Sequence, residues 1–583
     1  MSVLRPLLLV LAGSTAAVAA GPAEDLQTLF DREWERGLVE NPVSASYLGD
    51  PRYNDRWPDL TLAAIEHSHQ GDRAALAALR AIDRAALPAA QQLDHDLFER
   101  EYRERLEGYR FRGFLVPVDH SSGLQTTAEL AELLPFRSAK DYADWVARME
   151  RFGAYADQTI KLMKQGITEK RVAPKVILRR AAEQIRAQLV ADPTKSQWYA
   201  PFLQMPDAIP AAEQEQLRAR ARKAIAEVVV PALARYERFF VKDYLPKCRD
   251  SVGASALPEG RDYYAFRARS FTTTDLTPDQ IHDIGQREVK RIRAEMEAII
   301  AKVEFKGSFA EFLSFLRTDP QFYYTDPQEL LTAYQALSKR IDPELPKLFG
   351  KMPRMPYGVK PIPESSAPTT TTAYYNGPAA DGSRAGFYYV NLYKPETRPK
   401  YEMEALSIHE AVPGHHFQIA LAMELGTLPK FRRYGGFTAF VEGWGLYSES
   451  LGGELGFYKD PYSKFGQLTY EMWRAVRLVV DTGMHAKGWS REQAIEFFKA
   501  NAAKSENDIV NEIDRYIAWP GQALAYKVGE LKIKELRARA TTLLGERFDI
   551  RAFHDVVLGS GAVPLAILER NVDAWIAERA AAP

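Results

Sequence analysis

From residue 23 to residue 350, apolar positions recur every three or four residues against a background of Ala, Leu, Arg and Glu. That is the period of helices burying one face. Residues 213–244 and 278–303 show it most clearly. The second run opens with Thr277-Pro278-Asp279-Gln280, in which Thr caps, Pro occupies the first helical position and Gln completes a capping box. Between Lys351 and Arg398 the pattern changes to Pro, Gly, Thr and Tyr, and 369–393 holds two β-rich runs around a Gly-containing loop. These predict a small hairpin or sheet. Helical periodicity resumes near Tyr401 and continues to the end, with a second capping box at Ser490 and Gln493. No repeat of fixed period interrupts it.

The pattern therefore predicts a mainly α protein with one small β element. Residues 1–20 stand apart: one Arg, an apolar run from Leu7 to Ala12 and small residues up to Ala20 form a cleavable export signal. Its apolar core is too short to span a bilayer, and no later stretch approaches the roughly 20 apolar residues a spanning helix needs. A periplasmic or secreted location without stable membrane insertion is expected. The single cysteine, Cys248, forms no intrachain disulfide and lies far from any lipid-attachment position. The fold must rest on its core.

Lys plus Arg total 76 and Asp plus Glu 77, for a formal charge of −1. That balance removes the long-range attraction that polyanions require, so nucleic acid is not an expected partner. There is no G-x-S-x-G elbow and no phosphate-binding G-x-x-x-x-G-K-[ST] loop, and the GSG at 559–561 lacks the rest of a dinucleotide fingerprint.

One stretch carries chemistry. HEAVPGHH, residues 409–416, resembles the H-E-x-x-H helix that aims two histidines at one metal, but its second histidine comes six or seven positions after the first. On a regular helix, six residues rotate by about 240° and rise about 9 Å, and seven rise about 10.5 Å. Neither pair could share an ion that holds imidazole nitrogens at about 2.0–2.1 Å. The helix must therefore break, and Pro413-Gly414 supplies the means: Pro413 cannot donate to the carbonyl of His409, and Gly414 tolerates unusual backbone angles. If the two extra residues bulge out, His415 takes the place of the second ligand, with His416 as the alternative. A third ligand is available in FVEGWGLYSES, where Glu442 follows His415 by 27 residues on what should be an adjacent helix. Glu449, seven further on the same face, suits the orienting of a ligand histidine. Glu410 stands beside the first ligand, where a general base for an attacking water belongs. One Zn2+ held by His409, His415 and Glu442 is the expected cofactor.

HEAVPGHHFQ, FVEGWGLYSE, VVDTGMHAKGWS and RYIAWPGQALAYKVG, in order from 409 to 529, resemble the bacterial "domain of unknown function 885" family, which is related to gluzincin metallopeptidases. The resemblance extends distantly to angiotensin-converting enzyme and thimet oligopeptidase, helical enzymes with a His, His, Glu zinc site. There a small residue commonly precedes the second histidine, which favours His415 over His416. Their motif has two residues between Glu and the second His, and this chain has four.

By that resemblance the fold is a large helical gluzincin-like body with a deep cleft and a small β element beside the zinc helix. Residues 21–350 would wall the cleft and 351–583 would form the zinc-binding region, within one continuous body. The activity implied is hydrolysis of short, extended peptides. Tyr526 or His485 would steady the oxyanion, with Tyr516 a further candidate there and a candidate for binding substrate; a packed core residue is the plainer reading of each. Arg515 would pair with a substrate carboxylate or simply bridge helices. GFYYVNLY (386–393), with Tyr389 and Asn391, would present a strand edge to an extended peptide. Hydrolysis of a non-peptide amide at the same site, or peptide or metal binding without turnover, are the alternatives.

Overall fold

Thr277 and Gln280 close the capping box that their spacing predicts: the Thr277 hydroxyl accepts from the Gln280 amide at 3.2 Å, and the Gln280 side chain accepts from the Thr277 amide at 2.9 Å. The helix they start, Pro278–Lys302, buries Ile281, Gly285, Val289, Ile292, Met296 and Ile300, a stripe at intervals of three and four. The stripe lies along the central helix, Pro461–Ala486, in which every residue from Phe465 to His485 is buried. Gly285 lets the two approach closely, since a Cβ there would stand 2.7 Å from that of Leu478. In this computed structural model, which describes residues 21–581 apart from 120, 365–366, 379–383 and 427, the chain is mainly α-helical with one three-stranded sheet. The export signal expected at 1–20 lies outside the described residues.

The expected 213–244 helix is present, but it widens into π-helical turns at Ile225–Val229 and Phe240–Tyr244 on either side of Val230–Phe239. Pro231 and Pro246 follow closely after them, and a wider turn accommodates the missing N–H and the bulky ring. A single apolar core runs from Leu97 to Ile576, so helices from before residue 350 share it with those after. A smaller cluster, including Leu26, Phe30, Leu79 and Phe98, joins the first helices to one another. Among the described residues no helix is long and apolar enough to cross a membrane.

The β element contains the expected hairpin and one strand more. β1 (Tyr357–Pro361) pairs in parallel with β3 (Gly386–Val390), and β2 (Ala373–Asn376) pairs antiparallel with β3, giving the order β1-β3-β2. This corrects the expectation that the 386–393 run offers a free edge. β3 is the central strand, with neighbours on both sides, and β2 is the edge strand that contacts the helix bearing His409.

Candidate metal centre

The HEAVPGHH segment is two helices joined by a bulge. The first histidine helix, Met403–Glu410, ends where Ala411 leaves helical space (φ −99°, ψ −104°), and the second, His415–Glu424, starts after Gly414 (φ −77°, ψ −125°). Pro413 lies in this turn, which the Gly414 amide closes by donating to Ile408 O at 2.9 Å. A Cβ on Gly414 would lie 1.9 Å from the carbonyl oxygen of His409, so the turn admits no other residue type without moving. The break brings the His409 and His415 rings to a centroid distance of 4.6 Å, nearly perpendicular at 87°.

Glu442 comes from the carboxylate helix, Thr438–Leu451, which also secures the bulge: the Trp444 indole N–H donates to Pro413 O at 2.8 Å. On the same helix Gly445 makes room for the ring of His409, because a Cβ there would stand 2.8 Å from its Cε1. Oε2 of Glu442 is 3.4 Å from Nε2 of His415 and 3.9 Å from Nε2 of His409. One ligand atom from each of the three residues lies within 4.8 Å of the others. Two ligands at about 2.0–2.1 Å in tetrahedral array are separated by about 3.3 Å, so the donor set fits one zinc-sized ion after small adjustments. The His415 and Glu442 side chains remain 12% and 20% exposed, which leaves the cluster open on one side.

Electrostatics favour the same use. Burial, with the charges of His415 and Arg474, holds His409 well below the usual histidine range, so its imidazole is neutral. Its Nδ1 is 2.8 Å from Oε1 of Glu449, which directs Nε2 toward Glu442. Burial pushes Glu449 up to about 8, against the pull of Arg474. A cation held at Nε2 would favour the carboxylate form instead. Glu410 is raised by burial and by Glu442, with His415 opposing, the direction that suits a general base near neutral pH.

The tyrosine helix, Ala525–Leu544, crosses the carboxylate helix at two glycines. A Cβ on Gly443 would be 2.6 Å from the Cα of Gly529, and one on Gly529 would be 1.8 Å from Ala439 O. This close crossing brings Tyr526 to Glu442, whose acidity its hydroxyl increases. Arg477 lies over the ring of Tyr526, 4.4 Å from its centroid.

Residues 42–572 match the family described as "Bacterial protein of unknown function (DUF885)". The chain belongs to that family. A solved structure from Colwellia psychrerythraea, described as a candidate lipoprotein, has a TM-score of 0.90 at 29% identity, covering 96% of this chain and 100% of that one. Another, from Shewanella oneidensis and described as a candidate lipoprotein of unknown function, has a TM-score of 0.71 at 19% identity, covering 95% and 99%. The second shows likeness of fold alone. No curated protein matches.

Within this family member the other candidates separate clearly. His416 turns away from the cluster and binds the sheet and its approach, with Nδ1 2.8 Å from the Tyr375 hydroxyl and Nε2 3.0 Å from Met355 O. His485 is fully buried with both ring nitrogens on backbone, Ala254 N at 2.9 Å and Tyr516 O at 3.0 Å. It has no nitrogen left for an oxyanion. Asn391 is 1% exposed and its amide donates to the carbonyls of Ala367, Thr370 and Thr371, so it shapes the loop before β2. Tyr389 stacks on Tyr374 of β2 at 4.9 Å.

Arg515 and Tyr516 both bind Glu512, and Arg515 also donates to Gln522 Oε1 at 2.9 Å. Four residues not singled out from the sequence join this neighbourhood: Arg474, Arg477, Asp481 and Glu512. Charged residues inside the apolar run of the central helix, in WRAVRLVVD, were the available signal for the first three. A cavity of about 1050 Å³ opens between Phe30, Trp34 and Tyr102 and the Phe437-Thr438 start of the carboxylate helix. None of the three ligand candidates lines it, and Thr438 lies one turn from Glu442.

Proposed function

We propose that this protein is an exported zinc metallopeptidase, related to the gluzincins, that hydrolyses short extended peptides. The observation that carries the reading is the convergence of His409, His415 and Glu442 across a helix break, with Glu410 and Tyr526 beside them. A helix need not break in this way to bury two histidines. The small-residue N-terminus and the description of the Colwellia relative support export.

Zinc held by His409, His415 and Glu442 would supply Lewis-acid polarisation of the scissile carbonyl and of the attacking water. The chain supplies the rest. Glu410, at the end of the first histidine helix, accepts the proton of the water and returns it to the leaving amine. Burial and Glu442 raise the Tyr526 phenol above its ordinary range, so it stays protonated and donates a hydrogen bond to the oxyanion. Glu449 fixes the ring of His409. The outer edge of β2, which no other strand covers among the described residues, lies next to the first histidine helix and offers backbone groups to an extended peptide.

The test is Glu410→Gln, which keeps shape and hydrogen bonding but removes the base. Positioned proton transfer contributes about 10²- to 10⁴-fold. The variant should fold, hold zinc and bind peptides from a mixed library, while its cleavage falls by that factor below the chelator-sensitive cleavage of the wild type. Equal activity in variant and wild type would sink the mechanism. Peptide binding without cleavage by either would replace it with a binding protein, and cleavage confined to non-peptide amides would change the substrate class.

A further inference from the structure

The VVDTGMH segment remains outside the proposed chemistry, yet two of its three polar residues, Asp481 and His485, are wholly buried against the turn that leads to the tyrosine helix. Asp481 and His485 stand four apart on one face of the central helix, both 0% exposed. His485 is 3.0 Å from the carbonyl of Tyr516 through Nε2, while Nδ1 accepts from the Ala254 amide at 2.9 Å. Asp481 accepts from the Gly521 amide at 3.1 Å and 3.3 Å and from the Tyr264 hydroxyl at 2.6 Å. The pair thus grips both ends of 516–521, where the Glu506–Ala518 helix ends and the chain turns toward the tyrosine helix.

That turn has little freedom elsewhere. Gly521 has φ +84°, and a Cβ there would stand 3.1 Å from the carbonyl carbon of Arg267. The Arg267 guanidinium donates to Pro520 O at 3.4 Å. Beyond the turn, Gln522 receives the Arg515 guanidinium at 2.9 Å and its amide is 3.4 Å from the Tyr526 hydroxyl. Any shift of Gly521 is therefore passed to Tyr526 within about one helical turn. A hydrogen-bonded pair that merely satisfied a buried helix end would not need to hold the segment from both sides.

We propose that Asp481 and His485 are positioning residues: by clamping 516–521 they set the Tyr526 phenol beside Glu442. This rests on the peptidase reading, in which Tyr526 meets the oxyanion. Displacement of a reacting group by about 1 Å costs on the order of 10²-fold, which bounds the expected effect.

The experiment compares wild type, Asp481→Ala, Asp481→Asn, His485→Gln, Tyr526→Phe and Asp481→Ala/Tyr526→Phe, all zinc-loaded. Peptide hydrolysis and the amide hydrogen exchange of 516–526 are measured on each. Asp481→Ala should speed exchange in that segment and lower kcat by about 10- to 100-fold, with KM and zinc content unchanged. Asp481→Asn, which keeps an acceptor for the Gly521 amide, should recover most of kcat. The double variant should be no slower than Tyr526→Phe alone, because the clamp acts only through that phenol. If Asp481→Ala does not fold, His485→Gln carries the same comparison.

Unchanged exchange, or a double variant slowed by the product of the two single effects, would overturn the clamp while leaving the peptidase reading standing. A wild type without chelator-sensitive hydrolysis would instead remove the peptidase reading, and the positioning role with it.

Discussion

Glu449 and His409 meet at 2.8 Å, carboxylate oxygen to Nδ1, with the carboxyl group wholly buried. Glu442, seven residues earlier on the same helix, faces the other nitrogen of that ring at 3.9 Å. One helix thus addresses both nitrogens of a single imidazole, and Arg474 stands 3.6 Å behind Glu449.

The first prediction follows from that pair. Loss of a group that orients a ligand histidine typically costs 10- to 100-fold in metal affinity, so Glu449→Gln should weaken zinc binding by about that factor while the fold persists. Competition with a graded series of chelators measures it. Affinity equal to the wild type would make Glu449 a packing residue.

His415→Ala should lose zinc, and His416→Ala should keep it. His416 spends both nitrogens on Tyr375 and Met355, so its removal should loosen the sheet and cost about 1–3 kcal/mol of stability. Metal analysis and thermal unfolding of the two variants distinguish these effects. Zinc lost from His416→Ala and kept in His415→Ala would reverse the assignment.

Gly414→Ala should abolish zinc binding with all three metal-binding side chains unchanged. Its Cβ would lie 1.9 Å from His409 O, so the bulge must open, and overpacking of this kind costs about 1–3 kcal/mol. Gly453→Ala is the control, since nothing lies within 4 Å of a Cβ there. Normal zinc content in Gly414→Ala would mean that the bulge relaxes at no cost to the site.

Stability should fall in mild acid. His554 is buried between Leu348 O and the Tyr447 hydroxyl, each at 2.8 Å, and burial pushes it down to about 3. Unfolded, it titrates near 6.5. Between those values the unfolded chain binds the extra proton, so stability is complete above about pH 6.5 and declines as pH falls toward 3. At pH 5 the loss is about 2 kcal/mol for such a histidine. His485, pushed down to about 3 by the same cause, adds a similar amount. The drop in unfolding midpoint from pH 7.5 to pH 5 should be smaller for His554→Gln than for wild type. Equal drops would mean that His554 does not set the acid sensitivity.

By itself, the sequence determined what depends on neighbours along the chain. Capping boxes at Thr277 and Ser490, the helical stripe of 278–303 and the hairpin of 373–390 are local, because period and capping chemistry act within a few residues. The break at Pro413-Gly414 was legible for the same reason, since a missing N–H and a missing Cβ act where they stand. So was the placing of Glu449 on the face of Glu442, where it could orient a histidine of the cluster, because a seven-residue spacing on one helix defines a face; that the histidine is His409 is a matter of packing.

Tertiary structure decided what depends on which surface meets which. β1 arrives from twelve residues before β2 and turns β3 into a central strand, a pairing that the alternation of GFYYV cannot reveal because either edge suits it. His485 and Asn391 look equally fit for chemistry and for structure until their hydrogen bonds are accounted for. Their partners, Ala254 and Tyr516 for one and the 367–371 loop for the other, are brought near only by packing. The glycine contact between Gly443 and Gly529 places Tyr526 beside Glu442, and no local pattern encodes it, because close approach is a property of two helices together.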